Sequence, residues 1–501
     1  MLLTPGSYTE TYFEHAYLAR YLGFTLVEGG DLAVREDRVY LKTLTGLERV
    51  HAILRRLDDD FCDPLELRPD SALGVPGLVQ AWRAGHVLVA NAFGLAVLES
   101  AALSEFLPEA AERLLGTPLE LPCIPTWWCG DEPALDEARR RLPEMVIKPA
   151  FPDARMEPVF AGDLDEAGRA RWITHLTEAP GRYVLQEYLP LSHAPVWHGG
   201  RIESRALMLR AFLVADGRGD YRVMPGGLSR IAGVDRHMVS SQLGGSSKDT
   251  WVLSESPIEP LSLLPGQLKP EDIAISQRAV SSRAGENLFW LGRYTERSEN
   301  SARLLRAVLS RLPEESAFTS ELSPAVIRTC HRHGLLRAPG ETYSGAPHRL
   351  EPDLITDMLD RKAGFSLAWN LEQTARVAGA VRDRLSTDSV RLVTEVFEAF
   401  ARADTADLAG ALALIDRAIV SLAAAVGIEM ERMTRDDGWR FLSLGRYIER
   451  LFFVATTVGE VTTSGEDAAA LQWLLELSDS AMTYRARYVR PRSGWPRRTC
   501  C

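Results

Sequence analysis

The chain is poor in cysteine, with six in 501 residues, at positions 62, 123, 129, 330, 500 and 501. That sparse spacing offers no disulfide framework and suits reduced thiols in a cytoplasm. No stretch approaches about 20 uninterrupted apolar residues, so no membrane span is expected. The start, MLLTPGSYTETYF, lacks a basic segment and a long apolar core, which excludes a secretory signal at this position. Positive charge is not in excess: the formal net charge is −11, which argues against a general nucleic-acid binder. Phosphate-loop spacing is missing from the Gly/Ser-rich SQLGGSSKDTW (241–251), which has no GK[ST]. The pair of histidines in CHRH (330–333) has no second Cys/His pair at zinc-site spacing.

What is present divides into two textures. Up to about residue 253, short apolar runs alternate with Gly/Pro turns. Strands are expected at 25–29, 38–43, 52–57, 86–92, 144–151, 182–189, 206–215 and 221–227, with helices at 10–22, 96–116 and 133–142. Residues 254–282, rich in Pro and Ser, read as a linker. From 283 to 488 apolar residues recur every three or four positions, most clearly over 286–312, 365–386, 389–403, 406–427, 439–463 and 467–488. An α bundle is expected there, so the fold class is α+β: a mixed α/β domain (1–253) followed by an all-α domain. The last residues, 489–501, form an irregular basic tail ending in Cys-Cys.

The bundle contains an echo. LGRYTER (291–297) and LGRYIER (444–450) agree at six of seven positions. In a helix Arg293, Glu296 and Arg297 share a face, as do Arg446, Glu449 and Arg450. Either each set is a ladder on its own helix surface, or the two sets are equivalent polar seams that face each other or a ligand.

Chemistry-bearing residues concentrate in the first half. In RRLDDDFCDP (55–64) the carboxylates read either as a solvated turn or as a cation site. Strand alternation puts Arg56 and Asp58 on one face and Asp59 on the other. Mg²⁺ takes hard oxygen ligands, usually a few carboxylates together with substrate phosphates. Asn91 ends the strand VLVAN, where it caps a turn or adds a neutral oxygen. Lys148, in MVIKPAF, snorkels or reaches a phosphate. No other lysine lies between Lys42 and Lys148. Glu187, in YVLQEYLPL, is a surface carboxylate or an acceptor for an exocyclic amine.

These stretches resemble the circularly permuted ATP-grasp proteins, the type related to glutathionylspermidine synthetase. The resemblance is carried by LLTPGSYTETYFEHAYLARYLGFTLVEGGDL, RRLDDDFCDPLELRPDSALGVPGL, VANAFG, VIKPAFP, QEYLPLS and GGSSKDTWVLSE. The helical half, through NLFWLGRYTERSENSARLL, SLAWNLEQTARVAGAVRDRLS and LLELSDSAMTYRARY, is similar to the bacterial alpha-E domain. The resemblance implies a carboxylate–amine ligase that uses ATP and Mg²⁺ to join a small-molecule or peptide carboxylate to an amine. It implies Arg56 as the catalytic arginine, and Asp58, Asp59 and Asn91 on the metal side. Lys148, Gln186, Glu187 and Leu189 fall on the nucleotide side. A protein partner is expected through the helical domain; nucleic acid and membrane are not. The alternative is a non-catalytic ATP-binding scaffold.

Three positions depart from the pattern. Val89 stands where an acid is usual, and the earlier nucleotide lysine has only Arg113 as a loose counterpart. The chain also starts inside the pattern, so a shortened reading frame is expected.

Overall fold

The structure is a computed structural model. It describes residues 1–151, 156–217, 219–233, 239, 245–255, 279–312, 324–338, 343, 349–404, 407–463, 468–478 and 480–487. Most of the linker read at 254–282, all of the tail at 489–501 and residues 241–244 of the Gly/Ser run lie outside them. Two compact units form: Met1–Phe93 with Gln277–Cys501, and Gly94–Ser276. The residues expected in one N-terminal α/β domain are thus divided between both units.

In the first unit, β1 (Leu2–Leu3), β2 (Leu26–Val27), β6 (Ala52–Arg55) and β7 (Leu88–Ala90) form a parallel sheet in the order β2-β1-β6-β7. Between β2 and β6 a three-stranded antiparallel meander intervenes: β3 (Leu32–Arg35), β4 (Arg38–Thr43) and β5 (Gly46–Arg49). Helix α1 (Tyr12–Leu22) buries Tyr12, Ala16 and Ala19 with Leu2 and Leu26, and Leu54 packs against them. Helix α2 (Leu78–Arg83) lies in the other apolar cluster, with Leu3, Val27 and Ile53. Residues two apart on a strand point the same way, so α1 and α2 cover opposite faces of this sheet.

The helical half of the same unit is built around α6 (Ser282–Leu309). A Ser281 hydroxyl accepting from the Ala284 amide caps its start. Around it lie α7 (Pro324–Arg332), α8 (Leu350–Leu359), α9 (Leu367–Ala380), α10 (Thr387–Ala401), α11 (Leu408–Arg432), α12 (Asp437–Thr463), α13 (Ala468–Leu477) and α14 (Ala481–Arg487). The expected single helix over 467–488 is two, with Ser480 bonding back to Leu475 at the break. One helix, α11, is long and apolar enough to cross a membrane by length and composition. Ala411, Ile415, Ala418 and Leu422 on it are spent on the bundle core, which is why an apolar helix of this length forms here.

Sheet lobe and bundle are bonded to each other within this unit. Arg283, at the start of α6, pairs with Glu28 (2.9 Å) and with Asp31 (2.8 Å), whose side chain is 1% exposed. The Tyr12 hydroxyl donates to the Ala380 carbonyl and Arg20 to the Leu385 carbonyl.

The second unit holds β8 (Thr126–Trp128), β9 (Met145–Pro149), β10 (Val159–Phe160) and β11 (Tyr183–Glu187) in an antiparallel sheet ordered β10-β9-β11-β8. A second sheet contains β12 (His193–His198), β13 (Arg201–Ala215), β14 (Tyr221–Ile231) and β15 (Ser246–Thr250). Among the described residues three α-helices belong to this unit: α3 (Leu103–Leu115), α4 (Glu132–Arg141) and α5 (Glu166–Glu178). The helix expected at 96–116 begins as a short 3-10 turn, Leu95–Glu99, before α3.

Candidate functional site

The run RRLDDDFCDP separates into residues with distinct jobs. Arg55, 8% exposed, extends its guanidinium along the carboxyl ends of β6 and β7. Its Nε donates to the Asn91 carbonyl at 2.7 Å, and its terminal nitrogens donate to Leu57 and Ala92 carbonyls and pair with Asp59 at 2.5 Å. Asn91 returns the contact: its Nδ2 donates to the Arg55 carbonyl at 2.8 Å, from a backbone φ of +58°. Asn is among the few residues that adopt that conformation readily. Arg55, Asp59 and Asn91 therefore form one closed group. Arg56 and Asp58 are exposed instead, and Arg56 sits on the α1 face with Leu54.

Asp63, the last acid of the run, is fully buried. It accepts from the Leu65, Gly77 and Val79 amides at 2.9, 3.1 and 3.0 Å. It holds the loop between β6 and α2, a structural role for a carboxylate that is paid in backbone hydrogen bonds.

Asp58 follows β6 and Asn91 follows β7, so both lie past the carboxyl ends of these paired strands. Asp58 and the Asn91 side-chain oxygen suit Mg²⁺, which needs only one or two carboxylates beside phosphates and water. Asp59 is engaged by Arg55. Val89 lies in β7 and is 7% exposed, so the position where an acid is usual is part of the core. Among the described residues no three His, Cys, Asp or Glu side chains converge as a metal site.

In the second unit, β9 and β11 are paired with Val184 opposite Lys148 and Gln186 opposite Val146. Lys148 and Gln186 thus share a face. Lys148 Nζ donates to Gln186 Oε1 at 2.5 Å, and Gln186 Nε2 donates to Thr126 Oγ1 at 3.0 Å. The three side chains make a ladder across β9, β11 and β8. Burial holds the Lys148 ammonium below its ordinary pKa. Glu187 falls on the opposite face, where its carboxylate meets Arg141 at 3.0 Å. Arg141 also contacts Glu137 and Glu144. Leu189 follows the strand and is 58% exposed. Arg113 is exposed on α3 and pairs with Glu109. Gln186 and Glu187, expected together on the nucleotide side, therefore point to opposite faces of β11, and Arg141 neutralises the second.

CHRH does not make a metal centre. Cys330 is buried in the bundle core, its thiol pushed up to about 12 by burial. His333 packs against Phe453 with the rings tilted by 36° and their centroids 4.6 Å apart, its pKa pushed down to about 4 by burial.

The echoed heptapeptides face each other. Glu449, on α12, accepts from Arg293 and from Arg297 (2.7 Å) on α6. Glu296, on α6, accepts from Arg450 (2.7 Å) and lies 3.5 Å from Arg446 on α12. Each glutamate is at most 3% exposed. Burial opposes ionisation of Glu449, but hydrogen bonds and charge from Arg297 and Arg293 hold its pKa below the usual carboxylate value. Reciprocal closeness accompanies the pairing: a Cβ on Gly292 would sit 2.1 Å from the Leu442 carbonyl oxygen, and one on Gly445 2.1 Å from the Phe289 carbonyl oxygen. The reading as ladders on each helix's own surface is replaced by the interlocked one.

A parallel-sheet lobe, a second lobe with a lysine–glutamine ladder and a helical bundle built on paired Glu-Arg segments define a two-part class of protein. Residues 1–232 match the circularly permuted ATP-grasp type 2 family, and residues 280–496 match alpha-E, an alpha-helical domain with a conserved ER motif. Residues 1–232 thus belong to the first family and residues 280–496 to the second, joined in one polypeptide. It is similar to uncharacterized protein Rv2567 of Mycobacterium tuberculosis, at 32% identity over 98% of this chain and 57% of that protein. It is also similar to uncharacterized protein sll0335 of Synechocystis, at 38% identity over 51% of this chain and 53% of that protein. Uncharacterized protein Rv2411c of Mycobacterium tuberculosis is 39% identical over 51% of this chain and 46% of that protein. The chain thus spans about half the length of these relatives.

Proposed function

We propose that the chain is an ATP-dependent carboxylate–amine ligase acting on peptide or peptide-like substrates in the cytoplasm. The observation that carries this reading is the Lys148–Gln186–Thr126 ladder, which presents a partly buried ammonium on one face of a sheet within an ATP-grasp chain. In the reaction the γ-phosphoryl group of ATP passes to a carboxylate oxygen, releasing ADP. An amine nitrogen then attacks the acyl carbon, the C–O bond to phosphate breaks, and the amine loses a proton. Little covalent work falls to the protein; it positions reactants and offsets charge. Lys148 serves as the point charge toward nucleotide phosphates. Asp58 and Asn91 would hold Mg²⁺, which neutralises phosphate charge when bound. Arg55 keeps Asn91 and Asp59 in place.

Titration of Mg·ATP against the purified chain tests the nucleotide assignment. Lys148→Ala should weaken binding at least tenfold, and unchanged affinity would remove Lys148 from the site. Incubation with candidate acids and amines should release ADP and phosphate together. A second reading is a nucleotide-binding scaffold that docks a protein through its helical part. Val89 in the core favours it, because that position lacks the acid of the family pattern, and Arg113 on exposed α3 is paired with Glu109. It predicts Mg·ATP binding without turnover.

A further inference from the structure

Helix α12 carries an apolar stripe that its own bundle leaves open. Leu444, Tyr447, Ile448, Leu451 and Phe452 are 39–70% exposed. They recur three and four residues apart, so they share one face of the helix. The face turned to α6 is a different one: Leu442 and Gly445 meet the α6 backbone, and Glu449 pairs with Arg293 and Arg297. At about 3.6 residues per turn the stripe lies on the side opposite to that contact. Among the described residues the other bundle helices expose at most one large apolar side chain each, Val420 on α11 and Met482 on α14. The stripe is therefore a concentrated feature and not scattered surface.

The pattern of the stripe fits a like helix. Leu444, Ile448, Leu451 and Ala455 follow one another at steps of four, three and four, the spacing of a coiled-coil seam. A β-branched residue at one seam position with leucine at the other favours two strands in parallel pairs. The stripe itself contains no charge. Arginines at its rim are compensated within the chain: Arg440 by Asp437 at 3.1 Å and Arg450 by Glu296 at 2.7 Å. A helix face that lies on lipid is rich in lysine and arginine on its polar side, and a charged partner is steered by an uncompensated rim. A second copy needs neither. With side chains of about 150–250 Å² each, the exposed fractions amount to roughly 400–700 Å² of apolar surface per copy. Two such faces and their rims together reach the roughly 1,200–2,000 Å² of a stable interface.

We infer that the chain self-associates through α12, the Leu444–Phe452 stripe of one copy packing on the same stripe of a second. The contact is isologous, so the five side chains are covered in both copies at once. It belongs to the helical half and stands whether or not the chain turns over ATP.

Sedimentation velocity of the full chain across a wide range of concentration tests it. The chain should pass from monomer to dimer, and α12 amides should gain protection from hydrogen exchange as it does. Leu451→Glu sets a carboxylate from each copy into the seam and should weaken dimerisation at least tenfold. Leu444→Glu should act alike, whereas Val420→Glu, on α11, should leave the dimer unchanged. Far-ultraviolet circular dichroism shows whether each variant keeps its helices. Should the glutamate variants fail to fold, Tyr447→Ser supplies the test and should also weaken the dimer, and the parent chain's concentration-dependent protection of α12 needs no variant. A chain that stays monomeric throughout, parent affinity in both Leu444→Glu and Leu451→Glu, or an equal loss in Val420→Glu would overturn the inference. So would a monomer that binds phospholipid vesicles, neutral or anionic, and loses that binding in Leu451→Glu, because the stripe would then be a membrane face.

Discussion

Glu429 shows how one side chain in the bundle becomes sensitive to pH. It is 3% exposed, accepts from the Ser389 hydroxyl at 2.8 Å, and has its pKa raised to about 7. Burial is the largest cause, opposed by the Ser389 hydrogen bond and by the charge of Arg446. A carboxyl whose folded pKa exceeds its unfolded one stabilises the fold at low pH. That stability is lost as pH rises from about 4.5, the ordinary carboxyl value, through 7. Denaturant midpoints measured from pH 4 to pH 8 should fall across that window, and Glu429→Gln should flatten the slope. An unchanged slope in the variant would mean that Glu429 is ionised in the folded chain. At this scale the sequence was legible in part. Alternation assigned Arg56 and Asp59 to different faces of a strand, but two adjacent arginines look alike on paper. Which of them is buried depends on the carbonyls of Asn91 and Ala92, some 36 residues away, which no local pattern names.

At the scale of elements, the α6–α12 contact rests on two glycines that let the backbones meet. Gly in a helix interior costs about 1 kcal/mol relative to Ala, so removing it normally stabilises. Gly427→Ala, in α11 with nothing within 4 Å of the new methyl, should follow that rule and gain up to about 1 kcal/mol. Gly292→Ala and Gly445→Ala should do the reverse, losing about 1–3 kcal/mol as the helices are forced apart. Thermal midpoints of the three variants check the sign, and stabilisation by Gly445→Ala would contradict the close approach. The period of apolar residues was enough to find both helices and even the face that carries Arg293, Glu296 and Arg297. It was not enough to find the partner, because periodicity gives a direction around one axis and says nothing of what lies across from it.

Considered whole, the first unit is held as one body by a few contacts between its sheet lobe and its bundle. Arg283 is central among them, since it compensates Asp31 and Glu28 together. Removing one partner of a buried pair leaves the other charged and desolvated. Arg283→Ala should therefore cost on the order of 3 kcal/mol, with α1 and the bundle losing protection from hydrogen exchange together. Arg402→Ala, whose pair with Glu398 is 75% exposed on the arginine side, should stay within about 0.5 kcal/mol of the parent. Equal effects of the two would show that lobe and bundle are not coupled through Arg283. The sequence announced a change of texture near residue 254, and that change is real. It did not announce that residues 1–93 would pack with the helices rather than with the strands that follow them, because tertiary partnership is set by buried pairs such as Asp31–Arg283, whose members lie about 250 positions apart.

The crossed Glu-Arg pairs carry one more implication. Each half of the lock holds a buried acid whose ion-pair partners lie on the distant half, so neither helix keeps these pairs by itself. Severing the polypeptide anywhere between them would yield two pieces with mutual affinity, each a specific receptor for the other.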